Sequence, residues 1–143
     1  MDRPITLDAD IDEIVENFSF LDDWEDRYGY LIELGNALSP VSEAEMNESN
    51  KVQGCVSQVW LISQVENGKL YFRGASDAHI VRGLVAVALS IFSGKTPEEI
   101  SKLNEQETFR AIGLSEHLTP QRSNGLKSLV GRIKATAEAA QAA

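Results

Sequence analysis

The chain has 143 residues, 43% of them hydrophobic and 24% charged, a composition that fits one folded domain and is too apolar for a disordered segment. Its net charge of −9, with thirteen scattered Lys and Arg, argues against nucleic acid, because phosphate binding needs clustered cations. No apolar run approaches the ~20 residues of a membrane span, and Met1-Asp2-Arg3-Pro4 does not resemble a secretory leader, so the expected location is the cytosol.

Two helices are expected first. Asp10 is placed to cap one, with Glu13 three residues on and Ile11, Ile14, Val15 and Phe18 at helical spacing. Asp22 or Asp23 can cap the next, whose inner stripe would be Trp24, Tyr28, Leu31, Leu34 or Gly35, and Leu38. Ser39-Pro40 is expected to stop it, since proline cannot continue the hydrogen-bond ladder. Residues 41–50 are acidic and irregular and read as a surface loop.

A β-hairpin follows. Asn67-Gly68 is the favoured centre of a two-residue type I′ turn. That register sets Val65 opposite Leu70, Ser63 opposite Phe72 and Leu61 opposite Gly74. One face then carries Val59, Leu61, Val65, Leu70 and Phe72, the expected core face, and the other Trp60, Ile62, Tyr71 and Arg73.

The next helix is expected to begin with Ser76 or Asp77 near its N-terminus. From Ile80 to Phe92 it is apolar nearly all round, the mark of a central helix covered on several sides. Ser93-Gly94-Lys95 ends it, and Thr96-Pro97-Glu98-Glu99 is a capping box with proline at the first helical position. Phe109, Ile112 and Leu114 form a further apolar set, and a last helix turns Leu126, Leu129, Val130 and Ile133 inward. The Ala135–Ala143 stretch favours helix but has little to bury and is expected to fray. The order αα–ββ–ααα predicts a single compact α+β domain, a small antiparallel hairpin against several helices.

Chemistry concentrates at Cys55, the only cysteine. With two histidines, His79 and His117, besides it, no metal or cluster site is expected, since thiolate sites normally take four ligands. Cys55 follows Gly54, a residue with unusual backbone freedom, and its parity matches the core face of the hairpin. A lone cysteine is often a buried small hydrophobe, whereas a reactive one must be an accessible thiolate. Lys51, Arg73, His117 and Arg122 are the candidate counter-charges. His117 is also the candidate base for a cysteine-nucleophile enzyme. Asp77 reads as a helix cap or first-turn acid. Arg122 stands near the positive end of a helix, where a cation is disfavoured unless an anionic partner is present.

Several stretches together resemble the SufE/CsdE family. They are Trp24-Glu25-Asp26-Arg27-Tyr28, Val52-Gln53-Gly54-Cys55-Val56-Ser57-Gln58-Val59-Trp60, Ser76-Asp77-Ala78-His79-Ile80-Val81-Arg82-Gly83-Leu84 and His117-Leu118-Thr119-Pro120-Gln121-Arg122-Ser123-Asn124-Gly125-Leu126. Ala75 departs from the pattern, standing where relatives often have a polar residue. The resemblance divides the chain into an N-terminal extension (1–10), a SufE-like sulfur-acceptor domain (11–135) and an Ala-rich tail (136–143), and implies a fold related to the IscU-type scaffolds.

It further implies a sulfur acceptor for a pyridoxal-phosphate cysteine desulfurase, SufS- or CsdA-like, which it stimulates. Cys55 would take persulfide sulfur from that partner and deliver it to iron–sulfur cluster assembly. The cofactor belongs to the partner; none is expected on this chain, nor is independent turnover. Asp77 and Arg122, carried by the matched motifs, would help hold or release the Cys55 loop, with His117 a further supporting candidate. A CsdE-type carrier with a different desulfurase and acceptor is the alternative in the same class; a cysteine-nucleophile enzyme or an inert adaptor are the alternatives outside it. A homodimer is compatible with all of these.

Overall fold

A computed structural model of the chain describes residues 11–55 and 57–142. Asp10, the expected first cap, the rest of the 1–10 extension and Val56 lie outside the described residues. Helix α1 runs Ile11–Ser19 and buries Ile14 and Phe18. Helix α2 spans Trp24–Asn36, and Asp23 caps it by accepting the Asp26 N–H at 2.8 Å. It ends at Ala37, whose N–H returns to the carbonyls of Glu33 and Leu34, so the helix closes before Pro40 is reached.

Strands β1 (Val59–Glu66) and β2 (Lys69–Ser76) pair antiparallel with Val65 opposite Leu70, Ser63 opposite Phe72 and Leu61 opposite Gly74. Asn67 and Gly68 both have positive φ, 53° and 78°, as a type I′ turn requires. The register is the expected one, but its two faces differ from expectation at the ends. Val65 is 61% exposed, because the hairpin tip projects beyond the helices that cover Val59, Leu61, Leu70 and Phe72. The opposite face is half-covered: the 40–46 segment lies over it, with Arg73 bonded to the Pro40 carbonyl at 3.2 Å and to Glu45 at 2.9 and 2.5 Å.

That segment is more ordered than the acidic loop expected there. It contains a 3-10 turn, Glu43–Glu45, with a complete Ser42/Glu45 capping box. Its continuation joins the edge of β1: the Val52 N–H donates to the Val59 carbonyl and the Leu61 N–H to the Asn50 carbonyl, both at 2.8 Å.

Helix α3 (His79–Phe92) is the centre of the molecule, packed against α1, α2, β2 and α7. It begins later than expected. Ser76 still belongs to β2, and Ala78 occupies the cap position with no side-chain bond to the helix. The crossing with α2 is close: a Cβ on Gly83 would stand 2.2 Å from the Leu31 carbonyl oxygen. Helix α4 (Pro97–Lys102) starts in the expected Thr96/Glu99 capping box. The Phe109, Ile112 and Leu114 set resolves into α5 (Glu105–Ala111) and α6 (Leu114–His117), with all three residues buried.

Helix α7 runs Pro120–Ala142 and buries Leu126, Leu129, Val130 and Ile133. The expected fraying from Ala135 is not what the structure has. The helix continues through the alanines and packs on α4, with Ala137 fully buried, because small side chains let the two helices approach.

Candidate functional site

Cys55 lies in the loop of residues 53–58 that the Val52–Val59 hydrogen bond closes at the start of β1. Gly54 turns the chain into this loop at φ 90°, and a Cβ there would stand 2.5 Å from Ser128 Oγ of α7. The thiol is half-buried and donates to the Gly125 carbonyl of α7 at 3.5 Å. A Cβ on Gly125 would stand 3.5 Å from the sulfur, so the loop rests directly on the helix backbone. Burial pushes the Cys55 thiol above its ordinary pKa, because the low-polarity surroundings disfavour the thiolate.

Beside the sulfur is a cavity of about 350 Å³. Val59, Val81, Leu84, Val85, Leu126 and Leu129 make its apolar wall, with Thr119, Gln121 and Arg122 toward the start of α7. Among the described residues Arg122 is the one cation lining it, and it has no ion-pair partner there. Its backbone N–H donates to Thr119 Oγ1 at 3.3 Å, a contact that caps the helix. The helix N-terminus and the guanidinium thus both set positive potential at one end of an otherwise apolar chamber.

Asp77 is exposed and caps no helix; it ties down the loop instead. The Gln58 N–H donates to Asp77 Oδ1 at 3.1 Å, the Gln58 side-chain amide to Oδ2 at 3.5 Å, and the Asp77 N–H returns to the Gln58 carbonyl at 3.3 Å. On the upstream side, Arg132 of α7 donates to the carbonyls of Ser49 and Lys51 at 2.6 and 3.1 Å. The free segment around Cys55 is therefore short, with anchors before and after it.

The remaining candidates lie elsewhere. His117 is exposed and stacks on Trp24, ring centroids 4.1 Å apart, while its carbonyl accepts from Tyr28 Oη at 3.1 Å. It does not line the Cys55 cavity, because the short α6 turns it toward α2. Arg73 is committed to Glu45, which its hydrogen bond holds at a pKa of about 2. His79 is exposed at the start of α3. Among the described residues, no group of three or more His, Cys, Asp or Glu could hold a metal ion, and no helix is long and apolar enough to cross a membrane.

Gly125, Ser128 and Gln58 are contact residues that reading the sequence did not single out. One signal was available for Gly125. A glycine inside a helix costs about 1 kcal/mol relative to alanine, so it marks a place where another backbone comes close.

Known proteins share this arrangement's sequence and fold. The family model "SufE: Fe-S metabolism associated domain" matches residues 12–137. An uncharacterized SufE-like protein of Rhizobium meliloti (strain 1021) is 53% identical over 132 residues, covering 90% of this chain and 94% of the relative. A second uncharacterized SufE-like protein, from Rhizobium etli (strain ATCC 51251), is 52% identical over 139 residues, covering 94% of each. The solution structure of a hypothetical protein from Thermus thermophilus superposes with a TM-score of 0.74 at 24% identity, over 93% of this chain and 96% of that one, and shows the same α+β fold. The chain therefore belongs to the SufE family, the Fe–S metabolism associated domain.

Proposed function

We propose that this protein is a sulfur carrier that accepts sulfur on Cys55 from a cysteine desulfurase and passes it to iron–sulfur cluster assembly, in the cytosol, without turnover of its own. The observation that carries the reading is the placement of the only cysteine. Its thiol is half-buried, bonded to Gly125, at the mouth of an apolar cavity lined by one cation, Arg122, that is unpaired among the described residues.

The chemistry is thiol–persulfide exchange. The Cys55 thiolate attacks the outer sulfur of the partner's persulfide; a new S–S bond forms at Cys55, the partner's S–S bond breaks, and the electron pair leaves with the partner's cysteine as thiolate. The rate follows the thiolate fraction and the access of the attacking sulfur. In the docked loop both are low, since burial raises the thiol pKa. Reaction therefore requires the loop to leave α7, and a partner that binds the open loop more tightly shifts the population toward it. On return, the apolar chamber has room for one more sulfur, away from water and small thiols, and Arg122 supplies a positive charge for an anionic persulfide. Asp77, through Gln58, sets how readily the loop opens.

The test is intact-mass spectrometry after incubation with a cysteine desulfurase, pyridoxal phosphate and cysteine. The expected result is a gain of one sulfur atom that reductant removes and that Cys55→Ser lacks. Stimulation of the desulfurase with no sulfur gained on Cys55 would refute the carrier reading. Asp77→Ala should speed alkylation of Cys55; an unchanged rate removes Asp77 from loop control.

A further inference from the structure

Away from the Cys55 cavity, α1 and α2 meet at a corner with no evident use. A shallow groove of about 750 Å³ runs there between Asn17, Phe20 and Leu21 on one side and Glu25, Asp26, Gly29, Tyr30 and Glu33 on the other. Phe20 is 74% exposed, the most exposed large apolar side chain among the described residues. Residues 11–36 hold eight carboxylates and one cation, Arg27, a net of −7 within the chain's −9.

Arg27 does not neutralise the groove. Its Nε donates to the Leu21 carbonyl at 3.0 Å, and its guanidinium stands 5.2 Å from the Trp24 ring centroid, on the inner side of α2. Glu25, Asp26 and Glu33 have no ion-pair partner among the described residues.

Gly29 is the second, independent feature. It lies in the middle of α2, where glycine costs about 1 kcal/mol relative to alanine, yet a Cβ there would meet nothing within 4 Å among the described residues. Gly35 and Gly83 are explained by the α2–α3 crossing, and Gly125 by the Cys55 loop; Gly29, like Gly131 of α7, meets no neighbour among the described residues, but Gly29 alone lies between carboxylates beside an exposed ring. Glu25, Gly29 and Glu33 follow one another at four-residue spacing, so they form one stripe along the helix, about 12 Å from first to last. A gap between two carboxylates, beside an exposed phenyl ring, is a seat for another backbone.

We propose that this stripe docks a basic amphipathic helix of a partner protein. The helix crosses α2 at Gly29, sets an apolar residue against Phe20 and places Lys or Arg against Glu25 and Glu33. A second copy of this chain is disfavoured, because it would bring the same −7 surface against itself. None of the groove residues lines the Cys55 cavity, so a partner can hold this face while another reaches the thiol. The proposal does not depend on Cys55 chemistry.

The test is NMR titration of the full chain carrying Cys55→Ser with a helical peptide that has Leu at its centre and Lys one helical turn to either side. Shift changes should centre on residues 16–33 and weaken as salt screens the charges. Glu25→Lys/Glu33→Lys should weaken binding by about tenfold or more, and Gly29→Leu, which fills the seat without disturbing any contact in this chain, should do the same. Binding of a Glu-for-Lys version of the peptide as tight as that of the basic one, shifts centred elsewhere, or an unaffected Gly29→Leu variant would each overturn the proposal. So would the absence of any shift at millimolar peptide, or concentration-dependent shifts of this face with no peptide, which would mark self-association.

Discussion

Gly54→Ala isolates the docking of the Cys55 loop from the stability of the fold. Gly54 has φ 90°, where an L-residue pays about 1–2 kcal/mol. The added Cβ would also stand 2.5 Å from Ser128 Oγ, a contact that rotation of the serine relieves at roughly 0.5–1 kcal/mol. Together these disfavour the docked loop by about 1.5–3 kcal/mol, which lowers the docked-to-open ratio by roughly ten- to 160-fold. The core is not involved, so the chain can relieve the strain by opening the loop; loss of global stability is then capped by the docking free energy itself. Alkylation of Cys55 with iodoacetamide at neutral pH, followed by intact mass, reads the open population. The expected result is a rate increase of about tenfold or more with near-native circular dichroism. A rate unchanged within experimental scatter would refute the account of Gly54 and Ser128 as determinants of docking.

Two further outcomes follow from the same structure. Burial raises the Cys55 pKa in the docked state, so the docked state holds its proton to higher pH than the open one. Docking is then fully stable below the ordinary thiol pKa and weakens as pH rises through the raised value. Proteolysis or hydrogen exchange at residues 53–57 should accordingly increase at alkaline pH in the natural chain, and Cys55→Ser should abolish that dependence. Separately, Gly83→Ala should destabilise the whole fold by about 2 kcal/mol or more, because the new methyl meets the Leu31 backbone, which cannot rotate away. Urea denaturation with a near-native midpoint for Gly83→Ala would contradict the α2–α3 crossing described above.

The features legible in the sequence are those set by neighbours along the chain. Asp23 caps α2 and Thr96 with Glu99 caps α4 through bonds that span three residues. Asn67-Gly68 determines the hairpin register, because positive φ at both positions admits one two-residue turn. The apolar run of α3 marks the central helix before any partner is known. Membership of the SufE family was legible as well, since several motifs recur in order.

What the tertiary structure decided involves residues far apart in the chain. Cys55 and Gly125 are 70 positions apart, and no local pattern could tell that the thiol would rest on that carbonyl. Asp77 looked like a helix cap, but β2 extends through Ser76 and leaves its carboxylate facing Gln58. His117 looked like a neighbour for the thiol until α6 turned it onto Trp24. Ala137 is buried only because α4 folds back over α7. In each case short-range sterics and hydrogen bonds determine the element, while the burial of apolar surface between elements determines which side chains meet.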